Sequence, residues 1–406
     1  MWVMNVFVII AISMAAILIM LRMRKPVGLA MLSGGLLVWI LSGAQFPALT
    51  KSVYQVLTMN RTYELVFALY FVMCLEIQLR MSGSLKGMLE ALQHWFNSDR
   101  ITIALMPGVL GLLPSLGGAI FSAPMVQSLG NGLKLNDEQK SVINFWFRHI
   151  TEYFSPINSG MLIASAILSI PLGKIILNTY MAGVISLVVG WFICIPKDGD
   201  AKPAASGQPV NNWEDIKAVF MTLSPVLFNF IFIVFLGGSA AVSMGIVTLG
   251  MFIMLALDKK KVPFWGTLRA ALDYKLILNV TCILLFIQIL ENTQTLHKIV
   301  EVLANSSMSI PVVIGIVSVL IGALTGMSQG HAAMVMPLVA SLAPQDVKLA
   351  ALAFVCGVAG QMVTPTHLCL IVTIDYFKAD FFKTLNPVFL MQFLTTAIYI
   401  AYWLIF

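Results

Sequence analysis

Ser155-Pro156-Ile157-Asn158-Ser159-Gly160 interrupts an apolar run that extends from residue 141 to 168, and Thr364-Pro365-Thr366-His367 interrupts another from 349 to 377. Proline lacks a backbone N–H and clashes with the preceding helical turn. Inside hydrocarbon such a break leaves polar backbone groups that lipid cannot satisfy, so it persists only where protein or a water-filled cavity covers it. These two segments imply an all-α, polytopic membrane protein with a polar interior built at the breaks.

Composition agrees. Of 406 residues, 59% are hydrophobic and 10% charged, against about 25% charged in soluble domains. Working outward from the breaks, apolar stretches near the length that spans a bilayer occur at 2–21, 27–46, 62–79, 177–195, 219–236, 240–257, 274–290 and 385–405. Two more are long but interrupted: 101–131 by Pro114-Ser115-Leu116-Gly117-Gly118, and 310–343 by Thr325-Gly326-Met327-Ser328-Gln329-Gly330. Both read as re-entrant hairpins. Segment 196–216 carries Lys197, Asp198, Asp200, Lys202, Pro203 and Pro209, and reads as a solvated cytoplasmic linker.

That linker sits mid-chain, and similar stretches recur on either side of it. Leu85, Glu90 and Leu92 match Leu296, Glu301 and Leu303. Pro124-Met125-Val126-Gln127-Ser128-Leu129 matches Pro337-Leu338-Val339-Ala340-Ser341-Leu342. At one shared offset, Asp137, Ser155-Pro156 and Lys174 match Asp346, Thr364-Pro365 and Lys383. We therefore expect a first repeat over 1–195 (hairpin 101–131, broken helix 141–168) and a second over 217–406 (hairpin 310–343, broken helix 349–377). Each repeat crosses five times if its hairpin enters and leaves on one side. Ten crossings result, and the odd number per repeat inverts the second against the first. With both termini outside, 18 of the 24 Lys and Arg residues fall on the cytoplasmic side. Lys51, Arg61, Lys174, Lys298 and Lys348 fall outside, and Arg148 lies within a span. This is the bias expected of a multi-pass protein of the cell (inner) membrane. It also explains the net charge of +6 without nucleic acid, because the basic residues flank apolar segments and face lipid headgroups.

Broken helices with inverted symmetry are the sequence pattern of secondary transporters, whose half-helix ends converge on a site near the midplane. The breaks supply small, hydroxyl and amide groups: Ser115, Gly117, Gly118 and Ser122; Ser155, Asn158 and Ser159; Thr325, Ser328, Gln329 and Gly330; Thr364 and Thr366. Ionisable residues at membrane depth are costly and default to functional candidates. Arg148, His149 and Glu152 precede the first Pro break, while His331 and His367 sit at the second hairpin tip and second break. Arg148 and Glu152, spaced i, i+4, can pair along one helix face. Alternatively, Arg148 contacts a substrate anion and Glu152 holds the coupling ion. By the repeat Glu152 corresponds to Gln361, so the halves are not chemically equal. Half-helix N-termini, Arg148 and the three histidines make a cationic set that a small organic anion would neutralise.

Enzyme signatures are lacking: the chain has no His-Glu-x-x-His and no Gly-x-Ser-x-Gly. Its five cysteines and five histidines show no metal-ligand spacing. We expect no enzyme, no metal and no cofactor. The alternative, a membrane enzyme or lipid-headgroup processing protein, needs a catalytic pair facing one aqueous side.

Segments 145–172 and 357–385, with their Ser-Pro and Thr-Pro-x-His-Leu-Cys-Leu cores, resemble a family of prokaryotic membrane proteins, domain of unknown function 401. The stretch Gly117-Gly118-Ala119-Ile120-Phe121-Ser122-Ala123-Pro124 is similar too. That family resembles the ion transporter superfamily of sodium-coupled carboxylate carriers, gluconate permeases and sodium/proton antiporters. The resemblance implies a site at 115–118, 155–159, 328–331 and 364–367, an elevator motion, symport with protons or a bound sodium ion, and a homodimer. The first hairpin tip departs from the dicarboxylate carriers in having no Ser-Asn-Thr triplet.

Overall fold

Among the residues that the computed structural model describes, every regular element is helical. Those residues are 5–23, 25–95, 98–112, 118–196, 212–295, 298, 301, 309–365 and 367–406. The first half runs through α1 (Val6–Arg22), α2 (Val27–Leu41), α3 (Phe46–Thr58), α4 (Asn60–Met81), α5 (Ser84–Trp95), α6 (Asp99–Gly111), α7 (Gly118–Gly132) and α8 (Asp137–His149). A 3-10 turn, Ile150–Tyr153, leads to α9 (Ser159–Leu168) and α10 (Leu172–Cys194). The second half comprises α11 (Asn212–Phe230), continued by a π turn at Ile231–Phe235, then α12 (Ala240–Leu257), α13 (Phe264–Ala271) and α14 (Tyr274–Asn292). It ends with α15 (Ile310–Thr325), α16 (Ser328–Leu342), α17 (Val347–Met362), α18 (Leu368–Phe377) and α19 (Phe381–Ile405).

Each of the eight expected uninterrupted spans has its helix. Five, at Asn60–Met81, Leu172–Cys194, Trp213–Phe235, Ala240–Leu257 and Phe381–Ile405, are long and apolar enough to cross a membrane alone. This is a multi-pass membrane protein. Three short helices, α3, α5 and α13, were not anticipated between the spans. Their apolar runs are too short to read as spans, and α3 buries Ser52 and Val56 while exposing Phe46, Tyr54 and Leu57. Of the expected linker, 197–211 lie outside the described residues, and 212–216 already belong to α11, whose first turn carries Glu214 and Asp215. Acidic groups are favourable at a helix N-terminus.

The interrupted stretches form helical hairpins. α6 and α7 pack together, as do α15 and α16. With 13, 15, 16 and 15 residues, each arm is about 20–24 Å long, short of a core about 30 Å thick. The second hairpin turns at Gly326 with φ of 64°, a left-handed conformation glycine adopts without steric penalty. The tip of the first, residues 113–117, lies outside the described residues.

Two groups of helices result. The first contains α1–α5 and α11–α14, in which α2 packs on α14, α12 on α4, and α11 on α5. In the second, α6 packs on α8, α9 on α16, α7 on α18, α15 on α17 and α10 on α19. The contacts exchange in pairs: α2 with α14 mirrors α12 with α4, and α9 with α16 mirrors α18 with α7. Fewer contacts join the groups, chiefly α4 with α9, α14 with α16, and α10 with the π turn. Within the second group α8 and α17 lie deepest, residues 140–149 and 349–362 being wholly buried. α17 approaches α15 through Gly322, Gly357 and Gly360. A Cβ on Gly322 would strike the Gly357 carbonyl, and one on Gly360 the Val319 carbonyl. Small residues permit such close helix approach in membranes.

Candidate functional site

α8 begins with a capping box, Asn136 and Gln139 satisfying each other's backbone N–H groups, and enters the core as an uninterrupted buried helix. It tightens to 3-10 geometry at Ile150 because Pro156 cannot donate to a continuing helix. The chain re-enters helix at α9, where the Asn158 side chain caps the Met161 N–H at 3.1 Å. In the second half α17 ends at Met362, Pro365 follows, and α18 starts after His367. Each break therefore lies where the sequence predicts it.

The two broken segments meet. His149 Nε2 stands 3.0 Å from His367 Nε2. Gln361 donates to Glu152, the residue it matches across the repeat. The other Glu152 oxygen lies 4.0 Å from His149 Nε2. Arg148 donates to the Leu110 carbonyl at 3.3 Å, near the end of α6, and to the Cys369 sulfur on α18. The anticipated i, i+4 pairing of Arg148 with Glu152 along one helix face thus gives way to contacts with other elements, since α8 stops being α-helical between them.

The second hairpin tip joins this junction. Gln329 donates to Ser159 Oγ at 2.5 Å, and Gly160 abuts Ser328 so closely that a Cβ would run into it. The N-termini of α9 and α16 thereby lie against each other. His331 is buried against Gly357, where a Cβ would collide with its ring. Gly330 packs on Thr325, whose hydroxyl caps the Ile321 carbonyl at 2.8 Å. Beside the breaks, Ser122 donates to Asn144 at 2.5 Å, and Asn144 donates to Thr373 at 3.4 Å, tying α7, α8 and α18 together. Neither Asn144 nor Thr373 is singled out by sequence; the only available signal was a polar residue within an apolar run.

Of the expected site residues, Arg148, His149, Glu152, Ser155, Asn158, Ser159, Ser328, Gln329, Gly330, His331, Thr364 and His367 lie along the broken segments of α8–α9 and α17–α18 and at the α15–α16 tip. Ser122 is one helix turn into α7, and Gly118 opens that helix. Ser115, Gly117 and Thr366 lie outside the described residues. Buried polar atoms without a partner occur around the junction: Ser155 Oγ, both ring nitrogens of His331, the Gln361 carbonyl oxygen and His367 Nδ1. Native proteins satisfy most such groups; unmet ones also occur elsewhere among the described residues, at Gln78, Ser141 and Gln288 among others. Glu152, Asn158 and Ser159 keep partial exposure. A separate cavity of about 280 Å³, lined by Asn136, Glu138, Gln139 and Lys383, opens at the start of α8, well before the breaks in the chain.

Folding also gathers ligating groups that no spacing along the chain reveals: His149, His367 and Cys369 present their donor atoms within 4.8 Å of one another.

The fold is similar to that of the YdaH transporter of Alcanivorax borkumensis, a structure described as having an unusual topology. The TM-score is 0.62 at 9% identity, over 88% of this chain and 87% of that one. At that identity the likeness is one of fold. No curated protein matches the chain by sequence. The family described as "Protein of unknown function (DUF401)" matches residues 7–405, and the chain belongs to it.

Proposed function

We propose that this protein is a secondary active transporter of a small organic anion, a carboxylate, carried in symport with protons or sodium. The observation that carries the proposal is the junction itself: two Pro-broken segments and a re-entrant tip meet among buried polar atoms that lack partners. Unsatisfied backbone and side chains at membrane depth are unfavourable unless a solute or water meets them. The solute is anionic because the N-termini of α9 and α16 abut, each contributing about half a positive charge, with Arg148 close by. Similarity of fold to a transporter agrees with this reading.

The second helix group, which holds the junction, is the moving body of an elevator, and the first group is its frame. The repeats are inverted, both termini lie outside the inner membrane, and two chains associate through their frames. Glu152, held by Gln361 and facing His149, is the coupling site. In proteoliposomes, Glu152→Gln is expected to abolish uptake against a gradient while retaining substrate counterflow, which requires no net ion movement. A variant that still concentrates substrate would move coupling elsewhere. Thermal unfolding of the purified protein with organic anions, with and without sodium, identifies the substrate. A ligand at 100 times its Kd adds about 2.7 kcal/mol of stability, and stabilisation by organic cations or sugars alone would overturn the anion assignment.

A further inference from the structure

We infer that His149, His367 and Cys369, with Glu152 completing the set, form a binding site for one divalent transition-metal ion of the zinc class. The three donor atoms lie within 4.8 Å of one another and come from α8, the second break and α18. Two ligands at roughly 2.05 Å from a tetrahedral ion are separated by about 3.3 Å. The two histidine Nε2 atoms are 3.0 Å apart, so an ion enters with little movement of either ring.

The first histidine is already set in its ligating tautomer. His149 Nδ1 lies 2.6 Å from the Phe145 carbonyl. A carbonyl only accepts, so Nδ1 carries the hydrogen and Nε2 presents its lone pair to His367. Fixing one ring nitrogen by a backbone carbonyl is how proteins orient metal-binding imidazoles. His367 then donates from Nε2 in the metal-free form, and its Nδ1 has no partner. When an ion replaces the proton between the rings, that proton transfers to Nδ1. Both rings then ligate through Nε2.

Cys369 supplies the sulfur. It binds as a thiolate, releasing its proton, at a bond length near 2.3 Å. Arg148 gives up its contact with that sulfur and keeps the Leu110 carbonyl. Glu152 lies outside that close cluster and would move in to fill the fourth position: Gln361 holds one oxygen, and the other lies 4.0 Å from His149 Nε2. Two imidazoles, a thiolate and a carboxylate suit zinc-class ions and disfavour magnesium, calcium and sodium, which prefer all-oxygen shells. Glu152 keeps 19% of its side chain exposed. The assignment concerns an equilibrium site and holds whether or not the protein moves a solute.

Cobalt(II) tests it, because thiolate ligation produces a charge-transfer absorption and tetrahedral geometry intensifies the visible bands. Purified full-length protein in detergent, without substrate, is titrated with Co2+. The expected result is one ion per chain with both signatures, displaced by Zn2+ but not by excess Mg2+. Cys369→Ser should lose the charge-transfer band, and His367→Ala should weaken binding at least tenfold. Cys74→Ser, a cysteine of α4, should match the wild type. No thiolate band in the wild-type protein overturns the inference without reference to any variant, and so does a band that survives Cys369→Ser.

Discussion

At residue scale the halves differ where the repeat makes them most comparable. The offset that aligns Ser155 with Thr364 also aligns Arg148 with Gly357 and Glu152 with Gln361. One half contributes charge, and the other contributes space and an amide. Gly357 is glycine because the ring of His331, fully buried, occupies the volume a Cβ would take. Gly357→Ala is therefore expected to destabilise the protein by about 1–3 kcal/mol, the usual cost of overpacking, read as a lower thermal midpoint in detergent. Adding His331→Ala frees that volume and should recover most of the loss. A single variant as stable as the parent would show that the ring can move aside. The correspondence of Glu152 with Gln361 was legible in the sequence from the offset alone. That the two hydrogen-bond to each other was not, because an offset says nothing of distance in space.

Among elements, the contact between a hairpin tip and a broken helix is the one most directly tied to function. Gln329 and Ser159 meet at 2.5 Å, joining α16 to the start of α9. If the tip must lift to admit a solute, holding it to α9 should stop the cycle. Cysteines at both positions, bridged by a short bis-thiol reagent, are expected to crosslink within one chain and to arrest transport, with recovery on reduction of a cleavable bridge. Undiminished flux in the bridged protein would mean the tip is not a gate. The hairpins and breaks were readable from Gly, Pro and hydroxyl clusters inside apolar runs, since those residues cannot continue a helix through lipid. The short helices α3, α5 and α13 were not. Their stability comes from packing on neighbours, and a short apolar run does not distinguish such a helix from a loop.

For the whole molecule, charge asymmetry predicts orientation. Lys134, between α7 and α8, and Lys348, at the start of α17, lie near the corresponding connections of the two halves, and inversion puts them on opposite faces. Cysteines introduced there should be labelled by impermeant reagents from the cytoplasmic side at 134 and from outside at 348; labelling from one side only would defeat the inverted arrangement. Mass photometry in lipid discs should return two copies of the 44.4 kDa chain, and an active single copy would exclude the dimeric frame. The sequence by itself determined the solvent, the number and position of the long helices, and the places where the backbone breaks. Those follow from hydropathy and from the conformational limits of Pro and Gly, which act locally along the chain. Only the tertiary structure decided which break faces which, that Gln361 rather than Arg148 holds Glu152, and that His149, His367 and Cys369 share one corner. These depend on how the two Pro-broken segments pack against each other, and residues about 210 positions apart become neighbours only after packing brings them there.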